Sequence, residues 1–314
     1  MKKVCLGMDT SCYTTSVAMA GEDGFDQRRK LLQVELGQRG LRQSEAVFQH
    51  VNRMPDLMEE LTRAHPDWQI CGVCASTQPR PREGSYMPVF MAGTSFARCA
   101  AAALGVPFWE TSHQEGHIRA ARMGLDMPEG SFLAVHLSGG TTEVVLSRDG
   151  VLDIVGGTQD ISAGQLIDRT GVALGLPFPA GPYLEKLAMQ GTAQAKLAVR
   201  VKDGKCSLSG AEAEAGRMAK AGAEKEDIAA EVFSCVARTL AKMLTQAAEA
   251  HQAQSALLAG GVAGSQFLRE LLADRLKKAN SKLKIFWADP ALAGDNAVGV
   301  AQIGYEKMKE NGII

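Results

Sequence analysis

The 314-residue chain lacks an excess of either charge, since 34 Lys and Arg stand against 35 Asp and Glu, a formal net charge of -1. That balance argues against a uniformly basic surface for nucleic acid, but leaves room for a local basic patch or a nucleic acid held mainly by a partner. Long apolar runs are also missing. The opening MKKVCLGMDTS places two lysines before apolar residues, as a secretory leader would, but Asp9 ends the run after residues 4–8. That is too short for a leader, and no stretch reaches membrane-spanning length. A cytoplasmic chain without membrane association is expected. Nor is there a paired cysteine framework: seven cysteines, an odd number, lie scattered at 5, 12, 71, 74, 99, 206 and 235, which fits a reducing compartment. The one C-x-x-C, Cys71 and Cys74, falls in an apolar, strand-like run. Residues three apart on a strand face opposite ways, so the pair is badly placed to share a metal.

What is present is an ordinary globular composition, 46% hydrophobic and 22% charged. KKVCLGMDTSCYTTSVAMAGEDG reads as strand, polar turn, strand and turn. GSFLAVHLSGGTTEVVLSRDG repeats the plan roughly 130 residues on, ending in an Asp149-Gly150 hairpin turn. A third small-residue turn follows SALLAGGVAGS, where Gly260 and Gly261 lead into SQFLRELLADRLKKA. Strand, glycines, then helix is how backbone N–H groups are brought to an anion. SEAVFQHVNRMPDLMEELTRA and EDIAAEVFSCVARTLAKMLTQAAEAHQ have helical period, and AEAEAGRMAKAGAEKED reads as a solvated helix plus loop. The alternation predicts an α/β protein with two mixed sheets from two related halves.

Two sets of residues could carry chemistry. The glycine-rich turns present Thr10, Ser11, Thr14 and Thr15 from the first half and SGGTT from the second as hydroxyl and backbone donors converging on a phosphate. Separately, WETSHQEGHIRAA sets His113 and His117 four apart, on one face of a helix. A zinc-protease motif would place its glutamate directly after the first histidine; here that position is Gln114, and Glu115 lies about 200° around the helix from His113. The alternatives are a metal pair or two histidines that merely pack. A metal needs a third ligand, and Asp295 in the Gly-Asp-Asn turn before the last helix is the best candidate.

GMDTSCYTTSVAM, VPFWETSHQEGHIRAA, LSGGTTEVVL, DISAGQLIDRTGVALGLPFPAGP, SLSG, LLAGGVAGSQFLREL and AGDNAVGVA occur in an order that resembles the TsaD-like tRNA threonylcarbamoyl-adenosine synthase family, formerly called O-sialoglycoprotein endopeptidase or glycoprotease. The resemblance runs nearly end to end. It implies a two-lobed actin- and sugar-kinase-like (ASKHA) fold with duplicated mixed-sheet domains. One lobe would span 1–130 with 296–314, and the other 131–295. It also implies transfer of a threonylcarbamoyl or related carbamoyl group from an adenylate to an acceptor, tRNA adenosine 37 or another. Iron or zinc would be held by His113, His117 and Asp295. Leu137, Ser138, Gly139, Gly140 and Thr141 match the loop that touches the acyl-adenylate, Asp168 the acid on the ribose hydroxyls, and Gly181 the glycine beside it. Ser265 stands where the family usually has an asparagine on the nucleotide. The implied partners are tRNA, an enzyme supplying the adenylate, and a second copy or a related family protein.

The departures cluster. The family's first loop runs Cys-Asp-Glu-Thr; here it is Cys12-Tyr13-Thr14-Thr15, without the two carboxylates. Thr141 replaces a histidine, Arg169 a lysine, and the family's Ser-Gly-Leu-Lys has become Ser209-Gly210-Ala211-Glu212. An anion in place of that cation suits tRNA phosphates poorly. A divergent paralogue with changed acceptor or weakened catalysis is expected, the alternative being a non-catalytic nucleotide-binding regulatory or scaffold subunit. Cys12 is the sole candidate nucleophile, and a small buried residue is the better account of it.

Overall fold

The computed structural model describes every residue except 12, 35–40, 129, 149, 150, 293 and 295. Asp295, Cys12 and the Asp149-Gly150 turn therefore lie outside the described residues. Two compact units divide the chain: Met1–Met123 with Ala291–Ile314, and Gly124–Pro290.

The first unit holds β1 (Lys2–Asp9), β2 (Thr14–Gly21), β3 (Gly24–Leu31), α1 (Gln43–Ala64), β4 (Trp68–Gln78), α2 (Phe90–Leu104), β5 (Phe108–Ser112), α3 (His113–Arg122) and the C-terminal helix α9 (Val298–Glu310). Its sheet order is β3-β2-β1-β4-β5. The first three strands meander antiparallel, while β4 and β5 run parallel to β1. One face carries Val4, Leu6, Met8, Val17 and Met19 against Met54, Leu57 and Leu61 of α1 and Ala97 and Ala101 of α2. The other face presents small residues to α3 and α9. A Cβ on Gly7 would stand 2.4 Å from the backbone nitrogen of Ala301, so the sheet and α9 touch backbone to backbone. Edge strand β3 (GFDQRRKL) is largely exposed, and its charges discourage pairing with another chain. It is absent from the strand pattern expected from the sequence because it buries too little to alternate.

The second unit holds β6 (Phe132–Leu137), β7 (Thr142–Arg148), β8 (Val151–Thr158), α4 (Ala163–Ala173), α5 (Gly181–Ala188), β9 (Arg200–Lys202), β10 (Lys205–Ser207), α6 (Ser209–Lys220), α7 (Lys225–His251), β11 (Ser255–Ala259), α8 (Gln266–Lys278) and β12 (Lys284–Trp287). Its mixed sheet runs β12-β11-β6-β7-β8-β10-β9. Leu133, Val135, Leu137, Val144 and Leu146 pack on α4 to α8, with α7 buried along most of its length. Glu231, 1% exposed within α7, accepts amide hydrogens from Gln194, Lys196 (3.0 Å) and Leu197 (3.4 Å). A buried carboxylate thus satisfies an irregular stretch that has no ladder of its own.

The fold is α/β with two mixed sheets. Among the described residues no helix is long and apolar enough to cross a membrane, and Cys5, Cys71, Cys74, Cys99, Cys206 and Cys235 form no disulfide. Burial pushes the Cys74 thiol up to about 12, with a further push from Glu115.

Candidate functional site

In the first unit the strand-to-helix corner β5–α3 presents the histidines. Ser112 is the N-cap of α3, and its hydroxyl accepts the Glu115 amide hydrogen at 3.2 Å. The Glu115 carboxylate folds back to accept from the Ser112 amide (2.8 Å), the Ser112 hydroxyl (2.6 Å) and the Thr111 hydroxyl (3.2 Å). Glu115 is therefore the acidic half of a capping box, which accounts for a glutamate between two histidines without a peptidase.

With the helix start fixed, His113 and His117 turn towards each other. Their Nε2 atoms are 2.9 Å apart and their rings meet edge-on at 76°. On its other side His113 places Nδ1 2.8 Å from Oδ2 of Asp9. Asp9 ends β1 and is 1% exposed. Its Oδ2 also accepts from the Ser76 hydroxyl at 2.8 Å, and its Oδ1 from the Ser11 amide at 2.8 Å. Burial pushes the Asp9 carboxyl up, but the His113 charge and the bonds from His113 and Ser11 outweigh it and hold the group below the usual carboxylate range. Asp9 is an anion that fixes which nitrogen of His113 bears hydrogen, the arrangement found behind metal-bound imidazoles.

The pair fits a divalent metal. The 2.9 Å between the two Nε2 atoms is hydrogen-bond distance, and only a few tenths of an ångström less than the roughly 3.3 Å between two nitrogens held about 2.0–2.1 Å from one tetrahedral ion. Among the described residues no three metal-binding side chains gather, and the expected third ligand, Asp295, lies outside them. Asn296, the next described residue, donates from Nδ2 to the carbonyls of Leu292 (3.0 Å) and Gly294 (2.7 Å), while its Oδ1 accepts the Val298 amide hydrogen (3.0 Å) at the start of α9.

The first loop is more inward than the sequence reading expected. Thr10, Ser11 and Thr14 are all buried. The Thr10 hydroxyl donates to Val89 O (2.8 Å) and accepts from Gly93 N (3.0 Å), docking α2 on the loop. Thr15 lies 2.8 Å from Nδ1 of the buried His50, and burial brings that imidazole down to about 4 against an opposing pull from Asp9.

In the second unit the turn between β6 and β7 is a compact loop. The Ser138 amide donates to Thr141 O (2.9 Å), and the Thr141 amide to the Ser138 hydroxyl (3.1 Å). The start of α4 lies directly on it. Ser162 donates its hydroxyl to Gly139 O (2.8 Å), the Ala163 amide donates to the Thr142 hydroxyl (2.8 Å), and a Cβ on Gly164 would sit 2.4 Å from Ser138 O. Gly260, at φ +105°, passes so close that a Cβ would lie 2.2 Å from Leu137 O, so only glycine fits. Gly261 follows it. Asp168 uses Oδ1 to accept from the amides of Ala180 (2.8 Å) and Gly181 (3.3 Å) at the start of α5. One turn along that helix, Glu185 Oε1 accepts from the Ser265 hydroxyl (2.7 Å) and the Phe267 amide (2.9 Å). Leu137, Ser138, Gly139, Gly140, Thr141, Asp168, Gly181, Gly260, Gly261 and Ser265 thus sit on one connected set of loops and helix starts within this unit.

Three residues escaped the sequence reading. Asp9 served there only to interrupt an apolar run; its place at a strand end before Thr-Ser was the available signal. Glu185 had none beyond its helical position. His136 lies opposite Glu143 in the β6–β7 ladder, next to the turn. Glu212 does not leave a bare anion either: its carboxylate is 3.3 Å from Arg169, so two departures from the family pattern form one ion pair.

The profile of the family described as TsaD, tRNA N6-adenosine threonylcarbamoyltransferase, matches residues 32–302. A tRNA N6-adenosine threonylcarbamoyltransferase of Carboxydothermus hydrogenoformans is 31% identical, covering 98% of this chain and 93% of that protein. One of Enterococcus faecalis is 30% identical, covering 99% and 92%. Among solved structures, T. kodakarensis HypF superposes with a TM-score of 0.64 at 14% identity over 99% of this chain, which spans 48% of that protein. A ROK family glucokinase of Streptomyces griseus, solved with glucose and AMPPNP, gives 0.55 at 12% over 96% of this chain and 99% of that one. Both structural likenesses speak to the fold alone, which is that of the sugar-kinase-like proteins.

Proposed function

This chain belongs to the tRNA N6-adenosine threonylcarbamoyltransferase family, and from that membership we infer that it transfers a threonylcarbamoyl or related carbamoyl group from an adenylate to an acceptor, tRNA adenosine 37 or a different amine or hydroxyl. The observation that carries this reading is the convergence of His113 and His117 at 2.9 Å, backed by the buried Asp9 carboxylate. His113, His117 and Asp295 would hold iron or zinc, which supplies polarisation of the carbamoyl carbonyl when bound. Asp9 accepts the Nδ1 hydrogen of His113, which in the neutral ring leaves the Nε2 lone pair facing Nε2 of His117. The Gly139 and Gly140 N–H groups of the second-unit turn would be offered to adenylate oxygens, the Ser138 N–H being engaged by Thr141 O. Asp168, with Oδ1 engaged by Ala180 and Gly181, leaves Oδ2 for ribose hydroxyls. The acceptor attacks the carbamoyl carbon directly and AMP leaves. A covalent enzyme intermediate is not invoked, because among the described residues no nucleophile is placed for one.

The test is rescue of a strain depleted of its own tRNA threonylcarbamoyltransferase, with the modified nucleoside measured, alongside metal analysis of the purified protein. Stoichiometric iron or zinc that His113→Ala abolishes is expected, with poor rescue because of Thr14, Thr141 and the Arg169–Glu212 pair. Metal-free protein whose nucleotide binding is indifferent to His113→Ala would remove the transferase reading.

A second reading, a nucleotide-binding regulatory subunit that pairs with itself or a related protein, draws support from the departures being internally satisfied. Ser265 bonds Glu185 and Arg169 bonds Glu212, as in a site that has settled without its ligand. Phe48 on α1 and Met91 on α2, 63% and 49% exposed, would serve such a pairing.

A further inference from the structure

The loss of a cation at Glu212 raises the question of where an RNA acceptor would be held. In the first unit β1, β3, β4 and β5 all run the same way, so their C-terminal ends lie on one sheet edge, the edge where ligands of open α/β sheets bind. His113 opens α3 at that edge.

Two loops flank it. Residues 79–88 form a compact turn tied to the histidine helix, because the Gln114 amide donates to Pro79 O at 3.0 Å. Inside the turn the Arg80 amide donates to the Ser85 hydroxyl (3.0 Å), Ser85 N to Arg82 O (3.2 Å) and Tyr86 N to Gly84 O (3.0 Å). The loop is internally braced, yet it leaves the Tyr86 side chain 65% exposed. On the other flank Tyr13 is 43% exposed, its carbonyl accepting from the Leu32 amide at 2.7 Å. Two of the chain's four tyrosines therefore stand out at this edge.

The charge there differs from the chain's overall balance. Among the described residues of 10–13, 29–34 and 78–88 there are four cations, Arg29, Lys30, Arg80 and Arg82, and one carboxylate, Glu83. Arg29, Lys30 and Arg82 are exposed. Cations tracking a backbone beside aromatic faces on which bases stack are the two elements of single-strand recognition.

We propose that this strand-end rim, with Arg82 and Tyr86 as its principal contacts, binds the single-stranded loop of an RNA acceptor beside the histidine pair. The proposal rests on the transferase reading and names the surface that reading lacks. Tyr86 stacks on an unpaired base, and Arg82 and Arg29 take phosphates; Lys30, the next residue of β3, points to the other face of the sheet. Glu83 opposes them and sets the local affinity.

Fluorescence anisotropy of the full chain with a labelled, unmodified tRNA anticodon stem-loop, across a salt series, tests it. Tyr86→Ala should weaken binding about tenfold and Tyr86→Phe hardly at all. Arg82→Gln and Arg29→Gln should each flatten the slope of log K against log salt by about 0.7. Glu83→Gln should tighten binding, and Lys220→Gln on α6 should leave it unchanged. Wild-type binding that none of the rim variants alters overturns the assignment and leaves the transferase reading standing. If the wild type binds no RNA yet holds stoichiometric metal and releases AMP from an adenylate, the rim proposal falls and the acceptor is not RNA. Absence of metal and AMP release as well would bring down the transferase reading itself.

Discussion

The Asp9 carboxylate lies 2.8 Å from Nδ1 of His113, across 104 residues of chain. The contact makes the histidine pair more than a spacing on a helix, because a buried anion at one ring nitrogen leaves the other to act as a lone-pair donor. Asp9→Asn keeps the shape and removes the charge. Metal affinity is expected to fall about 10–100-fold with the far-UV spectrum unchanged, as read by metal competition with a chelator. Unchanged affinity would mean Asp9 merely packs.

Glu115 belongs to the helix start rather than to chemistry. Glu115→Ala should cost about 1 kcal/mol of stability through loss of the capping box. Glu115→Gln, which can still accept from the Ser112 amide, should stay close to wild type. Thermal denaturation and metal content of both variants check this. If Glu115→Gln loses metal or carbamoyl transfer while remaining folded, the carboxylate has a role beyond the cap.

Glu231 supports the second unit from within. Glu231→Ala would leave the amides of Gln194, Lys196 and Leu197 without their acceptor, at a cost of about 3 kcal/mol. Urea unfolding measures it, and Glu231→Gln should fall between the two. A loss under about 1 kcal/mol would show that the segment finds other partners.

Asp160 gives an acid-dependent signature. Burial is the largest single influence and raises its pKa, but bonds from the Ser209 hydroxyl and the amides of Leu208, Ile161 and Ser209 together outweigh it and bring the group down to about 2. The folded pKa is depressed below its ordinary 3.8, so the stabilisation is present above the ordinary value and is lost as pH falls through the folded one. The stability gap between wild type and Asp160→Asn should be full at neutral pH and close towards about pH 2. A gap that persists at the acid end would place the effect in packing instead.

Much of the fold was legible because its signals are local. The β1–β2 and β6–β7 hairpins, the Gly260-Gly261 turn and the α1 and α7 periodicities each lie within one window of chain, where alternation and helical period report burial directly. The faults have equally physical causes. Exposed β3 has no buried face to alternate. The Thr10 hydroxyl, read as a ligand donor, turns inward to Val89 and Gly93, some 80 residues away.

The amino-acid order alone determined that His113 and His117 share a helix face, that Glu115 is out of place for a protease motif, and that the loops depart from their family. Those are properties of spacing and residue type. Only the tertiary structure decided that Asp9 stands behind His113, that Glu212 is neutralised by Arg169, that Glu185 takes the Ser265 hydroxyl, and that Arg82 and Tyr86 share a sheet edge with the histidines. Each joins groups distant in the chain, and their approach depends on how strands pair and helices pack, which no local period records.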